Sequence, residues 1–257
     1  MIANYHTHTW RCMHAVGTER EYVENAIEGG LKILGFSDHT PMPYAGGFVS
    51  PAKMRMDQLE EYVDVLLALK KEYEKDIEIH IGLEVEYYPA YFEELVRFTS
   101  QFPIEYYILG QHFLGNEVGD VSSFEETNDP VRLIRYCEQT LEGLRTGKFS
   151  CFAHPDAMHF VGDDALYRQQ MTHLCEAVKE IDIPLEINFL GIWNHRHYPL
   201  PLFWEIAGEV GNKVIFGADA HRPDKVWNPE ALKIAEGMVE KYHLNLQETM
   251  ELKKVCR

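Results

Sequence analysis

The sequence is poor in cysteine, and its cysteines are widely spaced. The 257 residues contain five, namely Cys12, Cys137, Cys151, Cys175 and Cys256, and no two of them form a Cys-x-x-Cys pair. A zinc site built from thiolates is therefore not expected. Their odd number and wide spacing fit reduced thiols in a cytoplasmic protein better than a disulfide framework.

Positive charge is also scarce. The chain has 24 Lys and Arg residues against 41 Asp and Glu residues, which gives a net charge of −17. A surface this acidic argues against long nucleic acids and membrane surfaces as partners. A small anionic substrate stays compatible with it, because metal ions bound in a cleft can reverse the local electrostatic field.

Long hydrophobic runs are missing as well. Residues 1–8 (MIANYHTH) do not show the basic and then apolar pattern of a signal peptide. No apolar run approaches the roughly 18 residues that a membrane-spanning helix requires. We therefore expect a cytoplasmic protein without a membrane partner, and the sequence does not indicate an oligomeric state.

What the chain does contain is a regular alternation of elements. Hydrophobic residues make up 46% of it, which is enough for a large core, and no linker or repeat divides residues 1–257, so we expect a single domain. The predicted strands are residues 2–6, 32–37, 77–85, 106–109, 151–153, 185–187 and 213–217. The predicted helices are residues 19–28, 56–73, 91–98, 131–145, 165–180, 202–210 and 229–242, with a further short helix at the C-terminal end. Seven β-then-α units predict an α/β fold with a parallel sheet, closed into a TIM-like (β/α)7 barrel in preference to an open, doubly wound sheet.

The ends of these predicted strands are rich in metal-ligand residue types. In α/β barrels the active site forms where the strands end and the βα loops begin. The sixth strand end, Glu186-Ile187-Asn188, has no histidine. The other six are His6-Thr7-His8, Ser37-Asp38-His39, Glu84, Gln111-His112, His154-Pro155-Asp156 and Asp219-Ala220-His221.

The spacing within these motifs favours metal binding. Side chains alternate across a strand, so His6 and His8 project from the same face, as do Asp219 and His221. The two oxygens of Glu84 allow it to bridge two cations. A single histidine at a strand end is more often a hydrogen-bonded core residue, but recurrence at six ends predicts a metal cluster.

These motifs, in this order, resemble those of the polymerase and histidinol phosphatase (PHP) family. The resemblance extends from residue 6 to residue 221, and residues 6–14 (HTHTWRCMH) are similar to the stand-alone histidinol-phosphate phosphatase branch. It implies a distorted (β/α)7 barrel with three divalent metal ions. The first ion would be held by His6, His8, Glu84 and Asp219. The second would be held by Glu84, His112 and His154, and the third by His14, His39 and His221. The spacing alone does not nominate His14, which lies in a loop.

The chemistry of these residue types agrees with the resemblance. Imidazoles with a few carboxylates suit zinc, manganese or iron(II), and clustered divalent ions make hydroxide available near neutral pH. The implied reaction is the hydrolysis of a phosphomonoester by a metal-bridging hydroxide, with L-histidinol phosphate, an intermediate of histidine biosynthesis, as the expected substrate. The candidate catalytic residues are Glu84, Asp156 and His221. Asp156 would protonate the leaving group or, equally, orient a ligand histidine.

A phosphate ester also needs cationic contacts outside the metals. The candidate substrate-binding residues are Arg196, Arg222, Arg55 and His195. Arg196 follows the sixth strand, the one end without a metal-ligand motif, and a guanidinium group can bind a phosphate through two donors. A solvated surface position is the alternative for each arginine.

Three other functions remain open. The chain could be a PHP-family phosphoesterase acting on nucleotides or other small phosphate esters. It could be a metal-dependent amidohydrolase, although residues 106–112 contain no lysine to bridge two metals. It could also be a barrel that has lost catalysis and binds a partner, although a complete ligand set argues against such decay.

Overall fold

A parallel sheet of eight strands forms the centre of the molecule. The structure is a computed structural model that describes residues 1–255, so Cys256 lies outside the described residues. Adjacent strands pair in sequence order, and every pair is parallel. The strands are β1 (Ala3–Asn4), β2 (Ile33–His39), β3 (Glu78–Val85), β4 (Tyr106–Leu109), β5 (Phe149–Phe152), β6 (Leu185–Asn188), β7 (Lys213–Gly217) and β8 (Asn245–Leu246).

Eight helices connect the strands. They are α1 (Glu19–Glu28), α2 (Leu59–Glu72), α3 (Phe92–Thr99), α4 (Pro130–Arg145), α5 (Asp164–Ile181), α6 (Phe189–Trp193), α7 (Pro201–Val210) and α8 (Pro229–Tyr242). Local sequence explains where several of them begin. Thr18 and Glu21 form a capping box at the start of α1, and the side chain of Asp163 caps α5.

The sheet closes into a barrel at the carboxyl ends of its strands. Thr7, just after β1, forms a parallel bridge with Ala220, just after β7. The amide of His8 donates to the Ala220 carbonyl at 3.0 Å, and the amide of Val16 donates to the His221 carbonyl at 2.9 Å. The first and seventh strands therefore meet at the edge where the predicted ligands lie, and the prediction of a barrel is confirmed.

The opposite end of the barrel differs from the prediction. There β7 pairs with β8 through Lys213 opposite Asn245 and Val214 opposite Leu246. This eighth strand was not predicted, and the predicted C-terminal helix was wrong, since residues 243–255 contain no helix. The amino-terminal half of β7 has no partner in β1, and the chain after α8 supplies the missing backbone hydrogen bonds.

Aromatic side chains fill the interior of the barrel below the carboxyl ends of the strands. The buried Tyr106 side chain crosses the interior and donates its hydroxyl to the Tyr5 carbonyl at 2.7 Å. A Cβ atom at Gly35 or Gly82 would collide with this ring, so two neighbouring strands need glycine there. The barrel is thus closed under the site, which can open only toward the βα loops. Among residues 1–255, no helix has the length and apolar character needed to cross a bilayer.

Candidate metal centre

The barrel brings all nine predicted ligands to one place. A cleft of about 790 Å³ opens at the carboxyl ends of the strands. Its lining includes seven of the nine, namely His14, His39, Glu84, His112, His154, Asp219 and His221. The other two, His6 and His8, are 1% and 0% exposed and contact the carboxylates of this lining.

Glu84 lies at the middle of this group. Its Oε1 is 2.9 Å from Nε2 of His154 and 3.4 Å from Nε2 of His112. Its Oε2 is 2.8 Å from Nδ1 of His39, yet this buried oxygen accepts no hydrogen bond of adequate geometry. A Cβ atom at Gly110 would occupy the position of the Glu84 carboxylate, so a glycine directly after the neighbouring strand β4 makes room for it. A carboxylate whose two oxygens face different sets of imidazoles is suited to bridge two cations.

His6, His8 and Asp219 form one potential metal site. The Nε2 atoms of the two histidines lie 3.1 Å apart, and Oδ1 of Asp219 is 3.0 Å from Nε2 of His8. Nδ1 of His6 contacts Glu186 at 2.7 Å, and Nδ1 of His8 contacts Asp38 at 3.3 Å. Because carboxylates only accept, each Nδ1 carries a hydrogen, and in the neutral rings the two facing Nε2 atoms are bare. Two facing lone pairs call for a cation between them.

A second potential site shows the same relationship. Nε2 of His14 and Nε2 of His221 are 3.0 Å apart, and His39 completes the group. Nδ1 of His14 donates to the Cys12 carbonyl at 2.7 Å, and Nδ1 of His221 donates to the Asp219 carbonyl at 3.1 Å. Ligand nitrogens around a tetrahedral zinc ion, with bonds of about 2.0–2.1 Å, lie roughly 3.3 Å apart, close to the spacing seen here.

The electrostatics of the cleft favour the protonation states in which several of these side chains can bind a metal ion. Burial, reinforced by His8, holds the pKa of His221 well below its usual range, and burial does the same for His39. Burial alone would raise the pKa of Glu84, but His112, His39 and His6 outweigh it and hold that pKa well below normal. Neutral imidazoles beside an ionised carboxylate are the forms that bind divalent metals.

His6 and His8 behave differently in the absence of a cation. Burial disfavours their charged forms, but the surrounding carboxylates outweigh it and raise the pKa of His8 to about 9. The pKa of His6 is also well above its usual range, chiefly because Glu186 and Asp219 counteract burial. A metal ion binding here would displace protons.

Two of these residues have unusual backbone conformations. His154 has φ of 31° and Asp219 has φ of 48°, in the left-handed region that L-residues seldom adopt. Such conformations cost about 1–3 kcal/mol each and are found mainly where a site requires them. Each residue lies two positions after the end of a strand, so the strain aims its side chain into the cleft.

Two of the predicted substrate-binding residues line the cleft, namely Arg196 and Arg222. Arg196 donates to the Tyr198 hydroxyl at 2.7 Å, and its guanidinium group is 5.7 Å from the centre of the Phe124 ring. Arg222 pairs with Asp224 at 2.9 Å, with 60% of its side chain exposed. Arg196 is therefore the better held of the two cations.

The structure does not bring three other predicted residues to the cleft lining. Arg55 pairs with the exposed Asp57, and His195 is exposed on the loop after α6. Asp156 is buried, and its carboxylate accepts hydrogen bonds from the amide of Leu200 at 2.6 Å and from Nε1 of Trp204 at 3.0 Å. Burial raises the pKa of Asp156 to about 6. Its contacts anchor the start of α7 and do not point it toward the reacting groups.

Sequence reasoning missed several cleft residues. Lys53, Phe113, Phe124 and Tyr198 line the cleft, but they lie in loops where no periodic pattern marks them. Glu186 orients His6 although the sixth strand end was noted only for its lack of histidine. A carboxylate at a strand end beside a His-x-His motif was the available signal.

The family model for the PHP domain matches residues 4–189. The chain belongs to the PHP domain family. The predicted family is thus confirmed. The match ends before Asp219 and His221, which complete the PHP-type cleft in this chain.

Two curated relatives of this PHP protein are named as histidinol-phosphatases, one of them as a probable one. A probable histidinol-phosphatase of Deinococcus radiodurans is 31% identical over 236 residues, covering 88% of each chain. The histidinol-phosphatase of Bacillus subtilis is 34% identical over 115 residues, covering 42% of this chain and 43% of the relative.

Solved structures share the PHP barrel. Histidinol phosphate phosphatase from Lactococcus lactis, crystallised with zinc, L-histidinol and phosphate, aligns with a TM-score of 0.75 and 19% identity, covering 98% of this chain and 97% of the other. A histidinol phosphatase structure from Listeria monocytogenes gives a TM-score of 0.72 with 22% identity, covering 90% and 99%. At these identities the structural matches establish the fold.

Proposed function

We propose that this protein is a metal-dependent phosphatase that hydrolyses L-histidinol phosphate to L-histidinol and phosphate. The observation that carries the proposal is a pair of close contacts between Nε2 atoms in one cleft, 3.1 Å between His6 and His8 and 3.0 Å between His14 and His221, with Asp219 contacting both pairs. The relative from Deinococcus radiodurans, similar over 88% of both chains, supports the substrate.

We propose that the centre holds three divalent ions. The ligand sets are His6, His8, Glu84 and Asp219 for the first, Glu84, His112 and His154 for the second, and His14, His39 and His221 for the third. The nitrogen-rich donor set suits zinc, manganese or iron(II) better than magnesium or calcium. The orphaned Oε2 of Glu84 and the facing lone pairs support occupancy by cations.

When bound, such ions supply Lewis acidity toward the phosphoryl oxygens and lower the pKa of water. The chain's own residues do the rest. Glu186 and Asp38 hold the His6 and His8 rings in one orientation, so the ligand geometry needs little rearrangement during the reaction. Arg196, at the cleft wall, would bind a phosphate oxygen and hold the ester in line.

The leaving group would face the aromatic wall of the cleft. Phe124 and Tyr198 stack there with ring centroids 5.8 Å apart, and Arg196 lies against both rings. A flat, partly apolar surface of this kind suits the imidazole ring of L-histidinol. The proposed partner is thus a small phosphate ester. We also place the protein in the cytoplasm, which accords with four buried free cysteines among residues 1–255.

A panel of substrates tests the proposal. Purified protein loaded with manganese or zinc is assayed for phosphate release from L-histidinol phosphate, nucleoside monophosphates and p-nitrophenyl phosphate, and for hydrolysis of cyclic amides. We expect the highest kcat/KM with L-histidinol phosphate. Preferential cleavage of nucleotides, or hydrolysis of amides without phosphate release, would replace the proposal with one of the alternatives. Metal analysis of the same sample should give more than two ions per chain.

A further inference from the structure

A buried lysine forms part of the cleft wall. Lys53 lies in the loop between β2 and α2 and is only 4% exposed. Its ammonium group contacts two carboxylates, Glu86 and, at 3.2 Å, Glu117. A buried ammonium group is costly unless it is paired, so these contacts fix the position of Lys53.

Glu86 connects this lysine to a candidate metal ligand. Glu86 is 2% exposed, and its Oε1 is shared between Lys53 and Nδ1 of His112, which is 3.2 Å away. Its other oxygen, Oε2, accepts a hydrogen bond from the hydroxyl group of Tyr88. Nδ1 of His112 thus faces the carboxylate of Glu86, and Nε2, on the other side of the ring, faces Oε1 of Glu84 at 3.4 Å.

His112 depends on a side chain for its orientation, whereas His14 and His221 do not. Backbone carbonyl groups orient His14 and His221, and those acceptors are fixed by the chain itself. His112 follows β4 in a loop, is partly exposed, and has a side chain as its Nδ1 partner. Without Lys53, the buried carboxylates of Glu86 and Glu117 would lose the cation between them, and Glu86 would lose the contact that holds it beside His112.

We propose that Lys53 and Glu86 are positioning residues that aim Nε2 of His112 at Glu84 and thereby set the affinity of the ion held there. The inference rests on the proposed function, since it presumes that His112 is a metal ligand. The two residues act through His112. Glu117, the other carboxylate that contacts Lys53, accepts hydrogen bonds from the hydroxyl groups of Tyr44 at 2.7 Å and Ser50 at 2.6 Å. It thereby anchors the loop that carries Lys53.

The experiment measures metal binding directly. Ions per chain and their dissociation constants are determined for manganese by calorimetry and metal analysis, with the melting temperature recorded in parallel. For Lys53→Met we expect one ion to bind roughly 10- to 100-fold more weakly, the usual cost of losing such a partner, while the other ions keep their affinity. Glu86→Gln, which keeps the shape and the contact to Tyr88, should weaken the same ion.

Two further variants separate positioning from general support. Lys70→Met is the matched control, because Lys70 forms a comparable ion pair with Glu105 at 2.6 Å with 37% of its side chain exposed. It should leave all metal affinities unchanged. Glu117→Gln keeps the pair of Lys53 with Glu86 and should change metal affinity by less than about 3-fold. If Glu117→Gln weakens binding of the ion as much as Lys53→Met does, the contacts of Lys53 only anchor the loop and the inference is overturned.

A double variant completes the test. If Lys53 acts through His112, Lys53→Met should cause no additional loss of metal affinity in a His112→Ala background. Additive losses would overturn the inference. Failure of the proposed function would look different, because wild-type protein would then bind the ions without releasing phosphate, and the calorimetric comparison would still hold.

Discussion

Nε2 of His14 lies 3.0 Å from Nε2 of His221, although 207 positions separate the two residues in sequence. His14 is held there by a short helical turn, Trp10–Cys12, which the side chain of Thr9 caps. Met13 follows with φ of 67°, and this left-handed residue turns the chain so that His14 faces the cleft. The fold thus brings a loop residue and a residue after β7 to the spacing that a shared ion would require.

Replacing Glu84 should be more damaging than replacing His14. Glu84 is a proposed ligand of two ions, whereas His14 is a proposed ligand of one. We expect Glu84→Ala to lose two ions and His14→Ala to lose one, with activity falling by more than roughly 100-fold in the first and about 10- to 100-fold in the second. Metal analysis and kcat/KM measure both, with His173→Ala, an exposed histidine on α5, as the control. Equal residual activity in the two variants would contradict shared ligation.

Chelation should destabilise the fold. Metals that bind only the native state add about 4 kcal/mol each at a concentration of 1,000 times Kd. For a protein of this size that corresponds to a decrease in the melting temperature of roughly 8–16 °C per ion removed. Thermal unfolding with and without EDTA measures it. In the Glu84→Ala variant, EDTA should lower the melting temperature by less than in the wild type. Wild-type protein with the same melting temperature with and without EDTA would argue against tightly bound ions.

Arg196 should affect substrate binding and leave the metals in place. Its guanidinium group lies at the cleft wall against the rings of Phe124 and Tyr198, and Arg196 is not among the proposed metal ligands. We expect Arg196→Lys to raise KM about 10-fold, because lysine keeps the charge but loses the planar two-donor geometry. Metal content should be unchanged. Arg168→Lys, in an exposed ion pair with Glu205 and Glu209, serves as the control. A loss of metal in the Arg196 variant would assign it a different role.

The stability of the protein should depend on Glu105 in acid. Burial would raise the pKa of Glu105, but hydrogen bonds from His80 at 2.7 Å and Lys70 at 2.6 Å outweigh it and lower the pKa to about 2. Because the folded pKa is below the unfolded value of about 4.3, this carboxylate stabilises the fold at neutral pH. The contribution is lost as the pH falls from about 5 toward 2.

Urea unfolding of Glu105→Gln at several pH values checks this expectation. We expect a loss of about 1–2 kcal/mol at pH 7, after allowance for partial exposure, and a smaller loss near pH 3.5. Glu78→Gln is the matched variant, because Glu78 contacts the same His80 at 3.0 Å but has 61% of its side chain exposed. A loss from Glu105→Gln that stays constant with pH would show that the ion pairs do not cause it.

The order of the elements and most of the centre could be predicted from sequence. Each predicted strand overlaps an observed one, because parallel barrel strands are short, apolar and followed by amphipathic helices. Ligand types at strand ends could be predicted because closure of the barrel gathers those ends wherever the helices lie. His14 needed the family resemblance, since a loop residue has no periodic pattern to place it.

The residues that were missed depend on loop packing. Lys53 is charged, and charged loop residues are usually exposed; only the burial of Glu86 and Glu117 beside it explains its position. Asp156 shows the reverse, since a position two residues after His154 suggested a role in the reaction and its hydrogen bonds direct it to Trp204 instead. β8 was missed because two residues are too few for a recognisable pattern.

The bridge between Thr7 and Ala220 has a consequence for how the protein is made. The candidate ligands extend from His6 to His221, so a chain emerging from the ribosome carries His6 and His8 long before Asp219 exists. Until β7 has been synthesised and paired, those first histidines lack their contact with Asp219, and the cleft is not closed. We therefore expect the proposed centre to load with metal only after β7 has been made, and the rate at which ions enter should follow the docking of β7 against β1.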